Sequence, residues 1–258
     1  MTVVLVHGIP ETPEVWDLLA ARLAEAGHKD QIRLSPPGFG AAVPNGFGAT
    51  VFEYRDWLIA ELERIAGPVN LVGHDLGGGL TMIVAMARPG LIQSWCSDAI
   101  GLFDPDYVWH ESAQLWQTPG AGEAFVARAV EQSVEERAEP LTSRGMDPVI
   151  AARVSAGFDA RMSESILRMY RSAVQPVMAE LGADLEAAAA RPGLVIMPTE
   201  DQAVGTDEQR RRSAARAAAR VEVLPGFGHW WMTEDEGRRG AAALDAFWAS
   251  FANGKASK

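Results

Sequence analysis

The sequence predicts an α/β fold, built as a mostly parallel sheet of about six strands with helices on both faces and a helical insertion between two strands. Short apolar runs of four to six residues alternate with helix-like stretches along most of the chain. Central parallel strands are buried on both faces, so continuous Val, Ile and Leu runs are typical of them. The predicted strands span 3–6, 69–72, 95–100, 194–197 and 221–224, with a weaker sixth at 31–34, and the predicted helices span 13–26, 51–65, 78–87, 207–219 and 234–251.

The alternation stops between residues 103 and 190. This segment is rich in Trp, Met, Ala and acidic residues, and its patterns are helical without a convincing strand. We therefore expect two parts, an α/β core formed by residues 1–102 and 191–258 and a helical cap formed by residues 103–190. Residues 253–258 are expected to be frayed.

Composition excludes several classes of protein. The 258 residues carry a formal net charge of −11, which repels a phosphate backbone, so we expect no nucleic-acid partner. No apolar run approaches the ~20 residues that cross a bilayer, and the first residues lack the basic start of a signal peptide, so we expect a cytoplasmic protein with no membrane partner. The single cysteine, Cys96, forms neither an internal disulfide nor a Cys-based metal site, and we expect no metal and no cofactor.

The most informative motif follows the second strong strand. There the chain runs through Gly73-His74-Asp75-Leu76-Gly77 into a predicted helix. This pattern fits the nucleophile elbow, a strained turn that its glycines permit, with Asp75 as the raised residue. A carboxylate is already an anion at neutral pH and can displace a leaving group from a saturated carbon, giving an alkyl ester that a base-activated water must hydrolyse. Taken alone, the pattern is more often an Asp that caps a helix.

Two further segments support the catalytic interpretation. His229 follows the last predicted strand, and Glu200 and Asp201 follow the strand before it. Both segments lie at carboxyl ends of strands, where open α/β sheets bind ligands. The chain order of Asp75, Asp201 and His229 is the nucleophile, acid and base order of one superfamily. Asp201 fits the usual position of the acid, and Glu200 is the alternative.

A fourth element, His7-Gly8-Ile9-Pro10, follows the first strand. A Gly-containing loop at this place can direct a backbone N–H at the oxygen of an ester intermediate. We expect the N–H groups of Ile9 and Leu76, the residue after the nucleophile, to form this oxyanion hole.

At these motifs the sequence resembles the α/β-hydrolase superfamily and, within it, the epoxide hydrolase and haloalkane dehalogenase branch with an Asp nucleophile. The resemblance covers nearly the whole chain and implies the α/β-hydrolase fold with a helical cap. The chain enters at what would be the family's third strand, so the first two family strands are expected to be absent. The matching segments are His7-Gly8-Ile9-Pro10 with Glu11, Pro37-Gly38-Phe39-Gly40, Gly73-His74-Asp75-Leu76-Gly77-Gly78, Asp201 and Gly228-His229-Trp230.

The resemblance also separates the branches of this family. Haloalkane dehalogenases usually have Trp directly after the nucleophile to hold the departing halide, and this chain has Leu76. Fluoroacetate dehalogenases have Arg at that position and again three residues later, where this chain has Leu76 and Gly79. The His-Gly-x-Pro form, in contrast, is characteristic of epoxide hydrolases.

Epoxide hydrolases protonate the departing oxygen with donors from the cap, commonly two tyrosines. The resemblance implies Tyr170, within Met169-Tyr170-Arg171, as one donor. The second donor is His110, at the position that resembles the family's first cap tyrosine, or Tyr107. The residues expected to line the substrate pocket are Trp109, Trp116 and Trp230.

Together these observations predict an epoxide hydrolase that acts on an apolar epoxide as its small-molecule substrate and needs no cofactor. The alternative is a dehalogenase that uses the same Asp nucleophile. A non-catalytic ligand-binding homologue is less favoured, because the nucleophile, acid and base are all present. The sequence is also compatible with a homodimer.

Overall fold

The computed structural model describes residues 1–252 and contains one six-stranded sheet. Its strand order is β2-β1-β3-β4-β5-β6, and every neighbouring pair is parallel. This confirms the predicted α/β-hydrolase fold. The strands are β1 (Val3–Val6), β2 (Gln31–Leu34), β3 (Val69–Gly73), β4 (Ile92–Ser97), β5 (Gly193–Pro198) and β6 (Arg220–Leu224).

One strand lies three residues earlier than its predicted position. The prediction placed it at 95–100, but β4 begins at Ile92, and the polar residues Gln93 and Ser94 had hidden its first half. The pairing of β3 with β4 shifts register at Gln93, and the Ser94 hydroxyl donates to the Asn70 side chain at 2.7 Å. The strand ends at Ser97, so Asp98 lies directly beyond the carboxyl end of the strand, at the edge of the sheet.

Eleven α-helices lie in the described residues 1–252. Two predicted helices, 13–26 and 234–251, each begin with a 3-10 turn, at Pro13–Trp16 and at Glu234–Gly237. No helix of residues 1–252 is both long and apolar enough to cross a membrane. The helices are α1 (Asp17–Glu25), α2 (Val51–Glu63), α3 (Leu76–Ala87), α4 (Glu111–Gln117), α5 (Ala121–Glu131), α6 (Val134–Thr142), α7 (Pro148–Ala156), α8 (Ala160–Ser172), α9 (Val177–Leu181), α10 (Asp207–Arg216) and α11 (Arg238–Ala252).

The segment between β4 and β5 holds α4 to α9 and no strand. Helix α8 packs against α4, α5 and α2, on the side of the sheet that carries α3. Helices α6 and α7 pack on each other and against the Pro13–Trp16 turn, in a second apolar cluster that includes α1 and α11. The helical segment therefore contacts apolar clusters on both faces of the sheet. The expectation of a frayed tail concerns residues 253–258, which lie outside the described part.

Helix α3 approaches β1 unusually closely at Gly77. A Cβ atom added to Gly77 would lie 2.2 Å from the carbonyl oxygen of Val6 and 2.7 Å from that of His7. Backbone atoms cannot give way as a flexible side chain can. Glycine at this position sets the distance between helix α3 and strand β1.

We predict that Gly77→Ala lowers the free energy of unfolding by about 1–3 kcal/mol, the usual cost of overpacking. The matched control is Gly90→Ala, because a Cβ at Gly90 meets no atom within 4 Å. Urea denaturation of both variants gives the comparison. Equal stabilities of the two variants would contradict the argument from close approach.

Candidate active site

Asp75 occupies the turn between β3 and α3. Its backbone angles are φ 49° and ψ −122°, a strained conformation for a residue with a side chain. The Gly73 and Gly77 positions on either side admit no Cβ without a clash, which is why the turn can be this sharp. The Asp75 side chain is 6% exposed, so the carboxylate is nearly shielded from bulk solvent.

The loop after β1 contacts this carboxylate directly. The Ile9 N–H donates to Asp75 Oδ2 at 3.0 Å, as expected for one half of an oxyanion hole. A Cβ on Gly8 would lie 2.5 Å from the Asp75 Cβ, so the loop can approach only because residue 8 is glycine. Leu76 is the first residue of α3, and its N–H therefore has no acceptor within the helix.

His229 and Asp201 form the second half of the predicted arrangement. Asp201 Oδ2 lies 3.0 Å from His229 Nδ1, and Asp201 Oδ1 accepts the Ala203 N–H at 2.8 Å. This contact leaves Nε2 as the free ring nitrogen of His229. Glu200, the alternative acid, is exposed and accepts the Thr199 hydroxyl at 3.1 Å instead. The geometry therefore brings Asp201, and not Glu200, to the histidine.

The electrostatics of these groups follow from burial and from each other's charge. Burial raises the pKa of the Asp201 carboxyl, but the charge and hydrogen bond of His229 outweigh it and bring this pKa to about 2. Burial lowers the pKa of His229, yet Asp201 outweighs that effect and the pKa is raised. Burial raises the pKa of the Asp75 carboxyl, which the positive charges of His229 and His74 oppose only in part.

Beneath Asp75 lies a chain of buried ionic groups that the sequence analysis did not identify. His74 Nδ1 lies 2.6 Å from Asp98 Oδ2, and His74 Nε2 lies 3.1 Å from Glu11 Oε1. Each carboxylate also accepts an indole N–H at 2.6 Å, Glu11 from Trp230 and Asp98 from Trp231. We call the three residues Glu11, His74 and Asp98 the buried ion chain.

The buried ion chain is connected to both halves of the site. Asp98 Oδ1 accepts the Asp75 backbone N–H at 2.9 Å, and Glu11 Oε2 accepts the Gly8 N–H at 3.1 Å. Burial lowers the pKa of His74, but the two carboxylates outweigh it and raise that pKa well above its usual value. Burial raises the pKa of Glu11, which the charge of His74 more than reverses, to about 2. These pKa shifts favour a charged imidazole at His74 beside a charged carboxylate at Glu11.

The sequence carried only part of the signal for this chain. Glu11 follows the His7–Pro10 segment and His74 directly precedes Asp75, but nothing in their spacing indicated that the two side chains are in contact. Asp98 fell within the strand predicted at 95–100, so its place at the sheet edge was missed. Its observed position directly after β4 is the signal that could have found it.

Tyr170 lies on α8 within an aromatic cluster. Its ring centroid is 4.7 Å from that of Trp116, 5.3 Å from that of Trp109 and 6.3 Å from that of His110. The side chain is 2% exposed, and burial first, then the charge of Asp75, raises the pKa of the phenol well above its usual value. The phenol therefore stays protonated and is available as a donor.

The two alternatives for the second donor differ in their hydrogen bonds. Tyr107 donates its hydroxyl to the Ala203 carbonyl at 2.7 Å, which uses its single proton. His110 is the N-cap residue of α4, and its Nδ1 accepts the Ala113 N–H at 3.3 Å. Burial lowers the pKa of His110, so its neutral form carries the proton on Nε2 and can donate it. These contacts favour His110.

The three tryptophans expected to line the pocket lie in different surroundings. Trp116 belongs to the aromatic cluster, and its buried Nε1 has no hydrogen-bond partner in the described residues. Trp109 donates its Nε1–H to the Ala173 carbonyl at 3.1 Å. Trp230 donates to Glu11 and stands with its ring 5.2 Å from that of His229. Only Trp109 and Trp116 share the cluster with Tyr170.

Surface cavities lie away from these residues. One of about 540 Å³ lies between the α6–α7 turn and the Glu234–Gly237 turn, lined by residues that include Met146 and Thr233. Asp75 and Tyr170 are instead covered almost completely, at 6% and 2% exposure. A ligand therefore reaches these two side chains only if neighbouring side chains move.

Comparison with known proteins places this arrangement in a family. Residues 3–243 match the model of the alpha/beta hydrolase family. The chain belongs to the alpha/beta hydrolase family. As a member of it, the protein is a hydrolase of the α/β type.

Relatives of known structure share the fold of this alpha/beta hydrolase. A haloalkane dehalogenase loop variant from Bradyrhizobium elkanii has a TM-score of 0.70 at 22% identity, covering 96% of this chain and 90% of that one. The structure of E-2-(acetamidomethylene)succinate hydrolase has a TM-score of 0.68 at 17% identity, covering 96% and 91%. At these identities the likeness concerns the fold alone.

One curated relative matches over part of the alpha/beta hydrolase chain. It is (E)-2-((N-methylformamido)methylene)succinate hydrolase from Acinetobacter baylyi, 32% identical over 91 residues. The aligned stretch covers 35% of this chain and about a third of that relative, 34% of its length.

We predict that Asp98→Asn lowers the free energy of unfolding by about 3–5 kcal/mol, because it leaves the buried His74 charge without one of its partners. The matched control is Asp245→Asn, which removes the carboxylate from an exposed pair with His28 and should cost less than about 1 kcal/mol. Urea denaturation measures both. Equal losses would refute the charge assigned to the chain.

Proposed function

We propose that the protein is an epoxide hydrolase that converts an epoxide to a vicinal diol through an ester on Asp75. The observation that carries the proposal is a carboxylate, rather than a hydroxyl, at the elbow, with one oxygen held by the Ile9 N–H at 3.0 Å. A held Oδ2 leaves Oδ1 as the attacking atom. Residues 103–190 act as the cap in this proposal and supply the proton donor.

In the first step, Asp75 Oδ1 attacks an epoxide carbon, and the bond from that carbon to the epoxide oxygen breaks. The departing oxygen takes the proton of the Tyr170 hydroxyl, and His110 Nε2–H donates a hydrogen bond to it. The products are an alkyl ester on Asp75 and a Tyr170 phenolate. A poor leaving group such as an alkoxide requires this assistance in a dry site.

In the second step, His229 Nε2 removes a proton from a water whose oxygen attacks the ester carbonyl. The N–H groups of Ile9 and Leu76 hold the oxyanion, and Asp201 stabilises the imidazolium. Collapse of this intermediate releases the alkoxide of the diol, which takes the proton from His229. The proton left on the Asp75 carboxyl returns to the Tyr170 oxygen, so the net reaction adds one water to the epoxide.

A dehalogenase is the second candidate. It is supported by the buried Trp116 Nε1, which has no partner in the described residues and could hold a halide. Against it, Leu76 supplies no side-chain N–H directly after the nucleophile. A non-catalytic binding protein is disfavoured because nothing in ligand binding alone requires the His229–Asp201 pair at 3.0 Å.

We predict that His229→Gln stops turnover but leaves ester formation largely intact, since a carboxylate nucleophile needs no base for its own attack. Mass spectrometry of the variant mixed with a panel of epoxides and 1-haloalkanes should find the substrate's mass on Asp75 with epoxides. His28→Gln, at an exposed histidine, is the control and should turn over normally. In the wild type, diol and halide are measured separately. Halide release with a higher kcat/KM than any epoxide opening would replace this proposal by the dehalogenase.

We predict that Tyr170→Phe slows alkylation by about 10²- to 10⁴-fold, the usual effect of a positioned general acid. Tyr54→Phe is the matched control, because the Tyr54 hydroxyl donates to the Pro37 carbonyl at 2.8 Å and serves the core. Single-turnover kinetics of ester formation separate this step from hydrolysis. Near-full activity of Tyr170→Phe would contradict the donor role of Tyr170, and His110 and Tyr107 would then be the pair to test.

A further inference from the structure

One cluster around the candidate site suits a ligand that the hydrolytic reaction does not use. Glu11, His74 and His229 each offer one ligand atom, and these three atoms lie within 4.8 Å of one another. The three residues are distant in sequence and follow three different strands, so no motif of fixed spacing predicts this cluster. We propose that they form a binding site for a divalent transition-metal ion, with Zn²⁺ as the best fit, and that its occupation inhibits the enzyme.

The chemistry of the three side chains matches zinc. Two imidazoles and one carboxylate, with a fourth position left open, are a common ligand set for this ion. Imidazole also distinguishes Zn²⁺ from Ca²⁺ and Mg²⁺, which prefer oxygen ligands.

Both histidines are oriented as zinc ligands usually are. His74 Nδ1 pairs with Asp98 at 2.6 Å and His229 Nδ1 pairs with Asp201 at 3.0 Å, so each Nε2 is the nitrogen left for a metal. A carboxylate on the far nitrogen fixes the ring and raises its basicity as a ligand. Two such pairs beside one carboxylate are more than the proposed hydrolysis requires, because it uses only the pair of His229.

The spacing allows the three ligands to converge with one small movement. Bonds of about 2.0–2.1 Å in tetrahedral geometry place ligand atoms about 3.3 Å apart. Glu11 Oε1 and His74 Nε2 are already 3.1 Å apart. His229 completes the set, and its side chain, at 19% exposure against 0% for His74, is the one with freedom to approach.

The local charge also favours a cation. Glu11, Asp75, Asp98 and Asp201 are buried carboxylates with exposures of 3%, 6%, 0% and 3%. Glu11 and Asp98 pair with the imidazole of His74, and Asp201 pairs with that of His229. The four carboxylates still outnumber the two imidazoles and the buried Arg210, whose charge also acts on Asp201, and unpaired charge is costly in a region of low dielectric. A divalent ion supplies the missing charge.

Binding exchanges a proton for the metal. The metal–nitrogen bond forms at His74 Nε2, and the proton that this nitrogen shares with Glu11 leaves to solvent, while Nδ1 keeps its proton toward Asp98. A second bond forms at His229 Nε2, the nitrogen that would otherwise accept a proton from water. On the proposed function, a bound ion therefore blocks hydrolysis of the ester, so inhibition requires no change of fold.

The test measures metal binding rather than activity. Chelator-treated protein is titrated with Zn²⁺ against a chromophoric chelator, and with Co²⁺ while visible absorption is recorded. We expect one ion per chain and the intense absorption of tetrahedral Co²⁺. Glu11→Gln should weaken binding at least 100-fold, and Asp201→Asn, outside the ligand set, by about 10- to 100-fold. His28→Gln, at an exposed histidine paired with Asp245, should leave it unchanged.

Several outcomes would overturn the site. These are wild-type binding no tighter than millimolar, equal affinity of wild type and Glu11→Gln, or loss of binding only in His28→Gln. Glutamine at position 11 preserves size and can still accept the Trp230 N–H, and an unfolding curve checks each variant. If a variant does not fold, anomalous scattering from zinc-soaked wild-type crystals decides. A peak bonded to Glu11, His74 and His229 supports the site, and a peak only at His28 and Asp245 refutes it.

Discussion

The buried ion chain of Glu11, His74 and Asp98 is the interaction on which the rest of the site depends. It joins the carboxyl ends of three strands, since Glu11 follows β1, His74 follows β3 and Asp98 follows β4. Two consecutive indoles, Trp230 and Trp231, attach the loop after β6 to the two ends of the same chain. Four loops that are remote in sequence are thus held at one edge of the sheet by hydrogen bonds to charged groups, which are stronger than bonds between neutral groups.

The helical segment completes this edge with a different kind of interaction. Its aromatic rings meet edge to face or tilted, so it contributes shape and apolar area rather than charge. The division is physically sensible. Hydrogen bonds to charged groups hold the atoms at the sheet edge in fixed positions. Aromatic packing, in contrast, allows the side-chain displacement that the entry of a ligand requires.

The sheet could be predicted because its strands are continuous apolar runs, and β1 and β2 have the expected bounds. The β4 strand was misplaced because its first half is polar and its pairing includes an irregularity at Gln93. Within the site, Asp75 could be predicted from a local glycine-flanked motif, and His229 could be predicted from its place after the last strand. The contact of His74 with Asp98 was not accessible, because it depends on which strands are neighbours. The choice between Tyr107 and His110 likewise depended on hydrogen bonds that only coordinates reveal.

The backbone and the side chain of Asp75 are held by different contacts. The Asp98 carboxylate accepts a hydrogen bond from the backbone N–H of Asp75 and does not contact the Asp75 carboxylate. The strained turn itself depends on Gly73, Gly77 and the buried ion chain. The backbone at position 75 is therefore held by contacts that do not involve its side chain, whose carboxylate has a separate contact with the Ile9 N–H. A substitution at position 75 would lose the hydrogen bond from the Ile9 N–H to Asp75 Oδ2 but would keep the hydrogen bond from the backbone N–H to Asp98. The same backbone turn can therefore present a different side chain at this edge of the sheet.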